Sequence, residues 1–174
     1  TRNLGLIVQM AYEWCQRIGD MRLLKFEYID FDNGILHLEQ SKRRATVHLP
    51  ISDELLSMLV QQKEDYGFQE YVAPTPNAIR GAYKPYSLHG ISKLGRKAMS
   101  SAGLSNELRL ADLRRTGTTE MVEAGVSMGQ IMSVTGHANP NSVMPYMKNT
   151  YLSAKKALTT RESVVISTRQ VPNS

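Results

Sequence analysis

Apolar positions recur along this chain with two periods, one near 3.6 residues and one of 2, and the switches between them mark out its elements. Residues 3–18, NLGLIVQMAYEWCQRI, place Leu4, Ile7, Val8, Ala11, Trp14 or Cys15, and Ile18 on one stripe, which predicts a helix broken at Gly19. Asp20 then stands where it can cap a short second helix, MRLLKF. Between residues 28 and 50 the period changes to 2. Asn33-Gly34 is a turn signal, and Ile35, Leu36 and Leu38 followed by Thr46, Val47 and Leu49 predict two strands. The strands meet at a basic turn, Ser41-Lys42-Arg43-Arg44, and a short first strand covers Tyr28 to Phe31.

Helical spacing then returns. Ser52, Asp53 and Glu54 open a helix carrying Leu55, Leu56, Leu59 and Val60. Residues 68–86, with Pro74, Pro76, Gly81 and Pro85, read as a long connection. Ser87 caps a helix to about Ala102, with Leu88, Ile91, Leu94 and Ala98 inward. Asp112 caps a helix from Leu113 to about Ala124, and Ser127 caps another that ends at Gly136. A further helix from Asn141 carries Tyr146, residues 151–160 form a short helix, and SVVIS at 163–167 forms a strand. The expected fold class is α+β: a mainly helical single domain, residues 1–174, with a small antiparallel three-stranded sheet.

Composition bounds the function without naming it. A length of 174 residues, 41% hydrophobic and 21% charged, suits one globular domain with a proper core. The net charge of +5 makes an anionic partner plausible, although charge of this size also occurs in proteins that bind nothing acidic. One cysteine, Cys15, excludes an intrachain disulfide framework and reads as a free buried thiol. No stretch is apolar for long enough to cross a bilayer and no secretion signal opens the chain, so a cytoplasmic, DNA-associated protein is the default expectation. The start at Thr1, without an initiator methionine, suggests a piece of a longer protein.

Candidate chemistry concentrates between Ala111 and Tyr146. Arg114 offers a planar, permanently charged fork to two phosphate oxygens, His137 exchanges a proton near neutral pH, and Tyr146 is a potential nucleophile. The same residues also fit an exposed basic helix, a glycine C-cap with a neighbouring histidine, and a core tyrosine. Arg17 has a structural role open to it at a helix end, and Asp20 is a cap or a steadying partner for a guanidinium. Lys42 on the hairpin tip can swing over a groove as a proton donor, with Arg43 and Arg44 adding attraction to a DNA backbone, or the tip is simply solvated. Arg80 and Lys84 hint at backbone contacts, the face Lys93, Arg96 and Lys97 suits phosphates and solvent equally, and His89 reads as structural or exposed.

In order and spacing these positions resemble the catalytic domain of the tyrosine recombinases, also called the phage integrase family. In that family an arginine after the first long helix is trailed by an acidic residue three positions on, as Arg17 and Asp20 are here. A lysine sits between two strands before a Val-x-Leu-Pro-like strand, matching Lys42 and VHLPIS. A His-x-Leu-Arg box falls on Arg114, a Leu-Gly-His step on His137, and the tyrosine nine residues further on is Tyr146. The resemblance implies that Tyr146 attacks a phosphodiester to leave a 3′-phosphotyrosyl bond, that Arg17 and Arg114 clamp the non-bridging oxygens, that Lys42 protonates the departing 5′ oxygen, and that His137 contacts the phosphate or assists proton transfer. It implies double-stranded DNA as partner, no metal or nucleotide cofactor, and site-specific integration or excision. An intact protein would assemble as a homotetramer on paired sites, and a piece lacking the amino-terminal DNA-binding domain could stay monomeric.

Two departures stand out. Ala111 occupies the place of the box histidine, which implies reduced cleavage unless a donor such as Arg115 compensates, and WCQR replaces the common Thr-Gly-Leu-Arg. Two further readings stay open: topoisomerase-like relaxation by the same tyrosine chemistry, and a DNA-binding homologue without catalysis.

Overall fold

In a computed structural model, which describes residues 1–42, 44–147 and 151–169, the first apolar stripe forms α1 (Arg2–Glu13). The Thr1 hydroxyl caps it, accepting from the Leu4 amide at 3.4 Å. The helix stops five residues before the predicted end at residue 18, because Trp14 and Cys15 turn the chain, with Cys15 at φ +50°. Both side chains remain buried, and the Trp14 indole donates to the Pro50 carbonyl at 3.1 Å. An apolar pattern cannot distinguish a buried turn from another turn of helix. Gln16 and Arg17 follow as extended chain, and Arg17 is the N-cap of α2 (Ile18–Met21). The predicted MRLLKF helix therefore begins earlier, and Asp20 lies within α2 rather than capping it.

The sheet consists of β1 (Ile29–Asp30), β2 (Ile35–Glu39) and β3 (Thr46–Pro50), antiparallel in the order β1-β2-β3. Leu36 opposes Leu49 and Leu38 opposes Val47 on the buried face, while His37 opposes His48 on the outer one. The first strand is shorter than residues 28–31 because Phe26–Tyr28 forms a 3₁₀ turn. At the hairpin tip the Gln40 amide donates to Ala45 O and the Arg44 amide to Gln40 O, each at 2.9 Å. Arg43 lies outside the described residues.

Ser52 caps α3 (Asp53–Tyr66), whose Leu55 and Leu59 are buried while Val60 is exposed. The long connection follows, held to the domain by the Val72 amide on Leu24 O at 2.9 Å. Ser87 caps α4 (Leu88–Ser101), which presents Ile91 and Gly95 to the interior; Leu88 and Ala98 face outward, against expectation. Leu110 packs onto Gly95, and Leu88 at the start of the helix lies over Gly19. α5 (Asp112–Ala124) and α6 (Met128–Thr135) end at Gly125 and Gly136, both left-handed. Ala111, not Asp112, is the cap of α5; the Asp112 carboxylate turns back to accept from the Arg109 amide at 2.8 Å.

Two elements differ in kind from expectation. Tyr146 sits in a 3₁₀ turn, Met144–Tyr146, after a second one at Pro140–Ser142, because Pro140 and Pro145 deny a longer helix its backbone donors. The SVVIS segment is part of α7 (Tyr151–Arg169) and not a strand. Its β-branched run meets no strand partner among the described residues, so the helix started by good helix formers upstream continues through it. Lys156 of α7 donates to the Ala124 carbonyl at 2.7 Å, capping α5.

Ile7 and Met10 of α1, Met21, Leu36, Leu55, Leu59 and Ile91 are fully buried in one core that ties α1 to the sheet, α3 and α4. No helix among the described residues is long and apolar enough to cross a membrane.

Candidate active site

Arg17 enters the site from the extended segment after α1. Its side chain is 26% exposed, with Nη1 donating to Gln40 Oε1 at 3.1 Å and lying 3.8 Å from Asp20 Oδ2. The buried Asp20 carboxylate also binds the hairpin: Oδ1 accepts from the Ser41 amide at 3.1 Å and from the Ser41 hydroxyl. Asp20 thus sets a carboxylate charge near the arginine and holds the base of the basic turn from within α2, where it caps no helix.

Arg114 sits in the first turn of α5, only 8% exposed. Nη2 donates to the Thr135 carbonyl at 2.7 Å and lies 3.1 Å from His137 Nε2. Nη1 is buried with no hydrogen-bond partner among the described residues. Burial pushes the guanidinium down to about 10, and the like charge of Arg17 adds to the effect. It remains a cation at neutral pH, held in a place that disfavours cations. An anion there would offset both the burial and the repulsion from Arg17.

His137 follows the left-handed Gly136 at the end of α6. The Thr135 hydroxyl donates its one hydrogen to Ile131 O at 2.7 Å, so it accepts from His137 Nδ1, also at 2.7 Å. This assigns the Nδ1–H tautomer and leaves Nε2 with a lone pair facing Arg114. The Tyr146 ring is half-buried, its centroid 6.4 Å from that of His137. Its own charge, were it ionised, would act favourably on Arg114. Buried Val143 anchors the turn that carries it.

Arg17, Arg114, His137 and Tyr146 therefore meet in space from four separate segments. Lys42 does not join them by contact: it is exposed on the hairpin tip, connected to the cluster through its neighbour Ser41 and Asp20. Cys15 lies near Arg114, but burial pushes its thiol up to about 11, so it is no rival nucleophile at neutral pH. Sequence reading missed three members of the network, Gln16, Gln40 and Thr135. Gln40 had left a signal: it extends the inward alternation of Leu36 and Leu38 by one more step, placing an amide at a core position. Among the described residues no group of three or more His, Cys, Asp or Glu side chains is placed to hold a metal ion.

Comparison with known proteins gives the family of the chain. The Phage integrase family model matches residues 2–152. The chain belongs to the phage integrase family. It is 25% identical over 146 residues to the virulence plasmid integrase pGP8-D of Chlamydia muridarum, covering 83% of this chain and 42% of that protein. It is 24% identical over 144 residues to the shufflon-specific DNA recombinase of Escherichia coli, covering 82% of this chain and 34% of that protein. The chain thus spans less than half the length of these relatives. Among solved structures, XerA recombinase superposes with a TM-score of 0.73 at 16% identity, over 92% of this chain and 57% of that one. A lambda integrase tetramer bound to a Holliday junction superposes with a TM-score of 0.65 at 22% identity, over 84% and 42% of the two chains. At these identities the superpositions establish the recombinase fold: a mainly helical domain around a small three-stranded sheet.

Proposed function

We propose that this integrase-family chain cleaves and rejoins DNA strands through a covalent link to Tyr146, as the catalytic part of a site-specific recombinase. The observation that carries the reading is the buried Arg114 guanidinium, whose Nη1 has no partner among the described residues and which shares its surroundings with Arg17 and Tyr146. A phosphodiester oxygen is the ligand such a fork suits, and the two cations offset charge that grows on the phosphorus oxygens in the transition state. The phenolic oxygen of Tyr146 forms the new bond to phosphorus, and the bond to the 5′ oxygen breaks. As Arg114 Nη2 turns from His137 Nε2 to the phosphate, the freed lone pair on Nε2 takes the phenolic proton, and the departing 5′ oxygen takes a proton from Lys42 as the hairpin tip closes on DNA. Attack by a 5′-hydroxyl on the phosphotyrosyl link reverses the step, so the bond energy is conserved and no hydrolysis is needed.

The lambda integrase relative bound to a Holliday junction as a tetramer supports double-stranded DNA as partner and tetrameric assembly for the whole protein. The reading is tested by incubating the chain with a library of nicked duplexes of randomised sequence, in which cleavage next to the nick loses the leaving strand. A complex that survives detergent, with the nucleotide mapped to Tyr146 by mass spectrometry, is expected. A nucleotide on any other residue would overturn the assignment.

Ala111 favours a second reading, a DNA-binding homologue with weak catalysis, because the exposed cap of α5 carries no side-chain donor. Ala111→His is expected to raise the single-turnover cleavage rate about ten-fold by adding one donor to the phosphate. An unchanged rate would remove position 111 as the source of a deficit.

The exposed face of α4 supplies a backbone contact. Lys93, Arg96 and Lys97 line a groove of about 450 Å³ together with Ser92 and Asn106. Changing the three cations to alanine is expected to reduce the slope of log affinity against log salt by roughly 2 to 3, with little dependence on sequence. A slope equal to that of the parent would place DNA elsewhere.

A further inference from the structure

Gln40 is fully buried one step beyond the end of β2, at a position that strand alternation assigns to the core. A buried primary amide has one carbonyl and two N–H groups to satisfy, and an apolar side chain there would avoid that demand. Here every one of those groups is used by the site. Oε1 accepts from Arg17 Nη1 at 3.1 Å, and Nε2 donates to Gln16 Oε1 at 2.6 Å and to the Thr135 carbonyl at 2.8 Å. Gln16 is itself fully buried, and its Nε2 donates to Trp14 O and Val134 O, both at 2.7 Å.

The Thr135 carbonyl is the same one that Arg114 Nη2 reaches, and the Thr135 hydroxyl receives His137 Nδ1–H. One amide is therefore joined directly to Arg17 and through a single residue to both Arg114 and His137. Gly136 makes room for it. A Cβ at that position would lie 2.7–2.8 Å from the Gln40 amide atoms, and the backbone there has φ +68°. Two residues beyond Gln40 the chain reaches Lys42, so the same strand end also sets where the hairpin tip begins.

We propose that Gln40 is a positioning residue that fixes the Arg17 guanidinium relative to Arg114 and His137, so that both arginines meet one phosphate. The inference rests on the phosphoryl-transfer reading above. Arg17 has an alternative partner in Asp20, but at 3.8 Å that contact is too long for a directed hydrogen bond. Without Gln40 the guanidinium keeps its charge and loses its aim.

Two variants of the full chain test this. Gln40→Met fills similar volume without hydrogen bonds and is expected to lower single-turnover cleavage of the nicked-duplex library about 10²-fold, with duplex Kd changed less than about three-fold. Gln40→Glu keeps the acceptor for Arg17, but when ionised has no hydrogen for the Thr135 carbonyl. Protonation restores one, so its rate relative to the parent is expected to rise as pH falls from about 8 to 5.5. A role in packing alone would not produce that profile. Nitrogen-resolved NMR of the guanidinium groups supplies a readout independent of cleavage: the Arg17 Nη–H signal is expected to lose its exchange protection in Gln40→Met while that of Arg114 Nη2, held by the Thr135 carbonyl, keeps its own. Retention of the Arg17 signal, or cleavage within about three-fold of the parent in both variants, overturns the proposal. Absence of any adduct from the parent chain would instead refute the phosphoryl-transfer reading, and the NMR signal would still decide whether Gln40 positions Arg17.

Discussion

Tyr146→Phe is expected to abolish the covalent DNA adduct, a fall on the order of 10⁵-fold, while duplex affinity stays within about two-fold. The substitution removes one oxygen from a half-buried ring in a 3₁₀ turn whose anchor, Val143, is untouched. Arg17 and Arg114 remain to hold the phosphate, so binding and bond cleavage separate. Cys15 cannot replace the lost nucleophile, because burial pushes its thiol up to about 11. Gel-shift titration alongside adduct formation makes the measurement. An adduct undiminished in Tyr146→Phe would show that the oxygen reaching phosphorus comes from elsewhere.

Arg114→Met is expected to lower cleavage about 10³-fold without lowering stability by more than about 1 kcal/mol. The reason lies in what the guanidinium costs the fold. It is 8% exposed, has one orphaned nitrogen, and stands near a second cation; burial and that cation disfavour its charge, pushing it down to about 10. A methionine of comparable length removes that burden. The Thr135 carbonyl loses one of two donors and keeps its bond from Gln40 Nε2 at 2.8 Å, while His137 Nε2 loses its contact with Arg114. Urea unfolding set beside single-turnover cleavage decides the matter. A variant that loses several kcal/mol while still cleaving would mean that Arg114 serves the fold and not the phosphate.

A related expectation concerns Arg114→Lys, which retains the charge and removes the fork. An ammonium gathers its three donors on one nitrogen, so it cannot hold the Thr135 carbonyl with one nitrogen and a phosphate with another in one plane. Its cleavage should fall almost as far as that of Arg114→Met, measured with the same library.

Much of this molecule was legible in its sequence because the rules involved are local. Period-3.6 stripes predict α1, α3 and α4, cap and glycine signals predict α5 and α6, and Ser52, Ser87 and Ser127 stand as the caps of α3, α4 and α6. Period-2 alternation around Asn33-Gly34 located the hairpin, and left-handed glycines closed α5 and α6 where expected. Local rules failed where burial came from distant partners. The turn at Trp14 and Cys15 is apolar because the core covers it, so the pattern ran on as helix to residue 18. SVVIS carries strand-like residues, yet β pairing is a property of two segments, and no second one is offered among the described residues.

The candidate site divides in the same way. Sequence by itself supplied the candidate residues, Arg17, Lys42, Arg114, His137 and Tyr146 in their order, and pointed to the family whose model the chain matches. Tertiary structure alone decided that four of these come together while Lys42 waits on an exposed tip, that Arg114 is buried with a nitrogen left over, and that His137 carries its proton on Nδ1. It also revealed Gln40, whose amide joins segments 23 and 95 residues away along the chain. Residue type and local propensity are carried by neighbouring positions, whereas desolvation, tautomer and hydrogen-bond direction depend on which groups the fold brings within about 3 Å of one another.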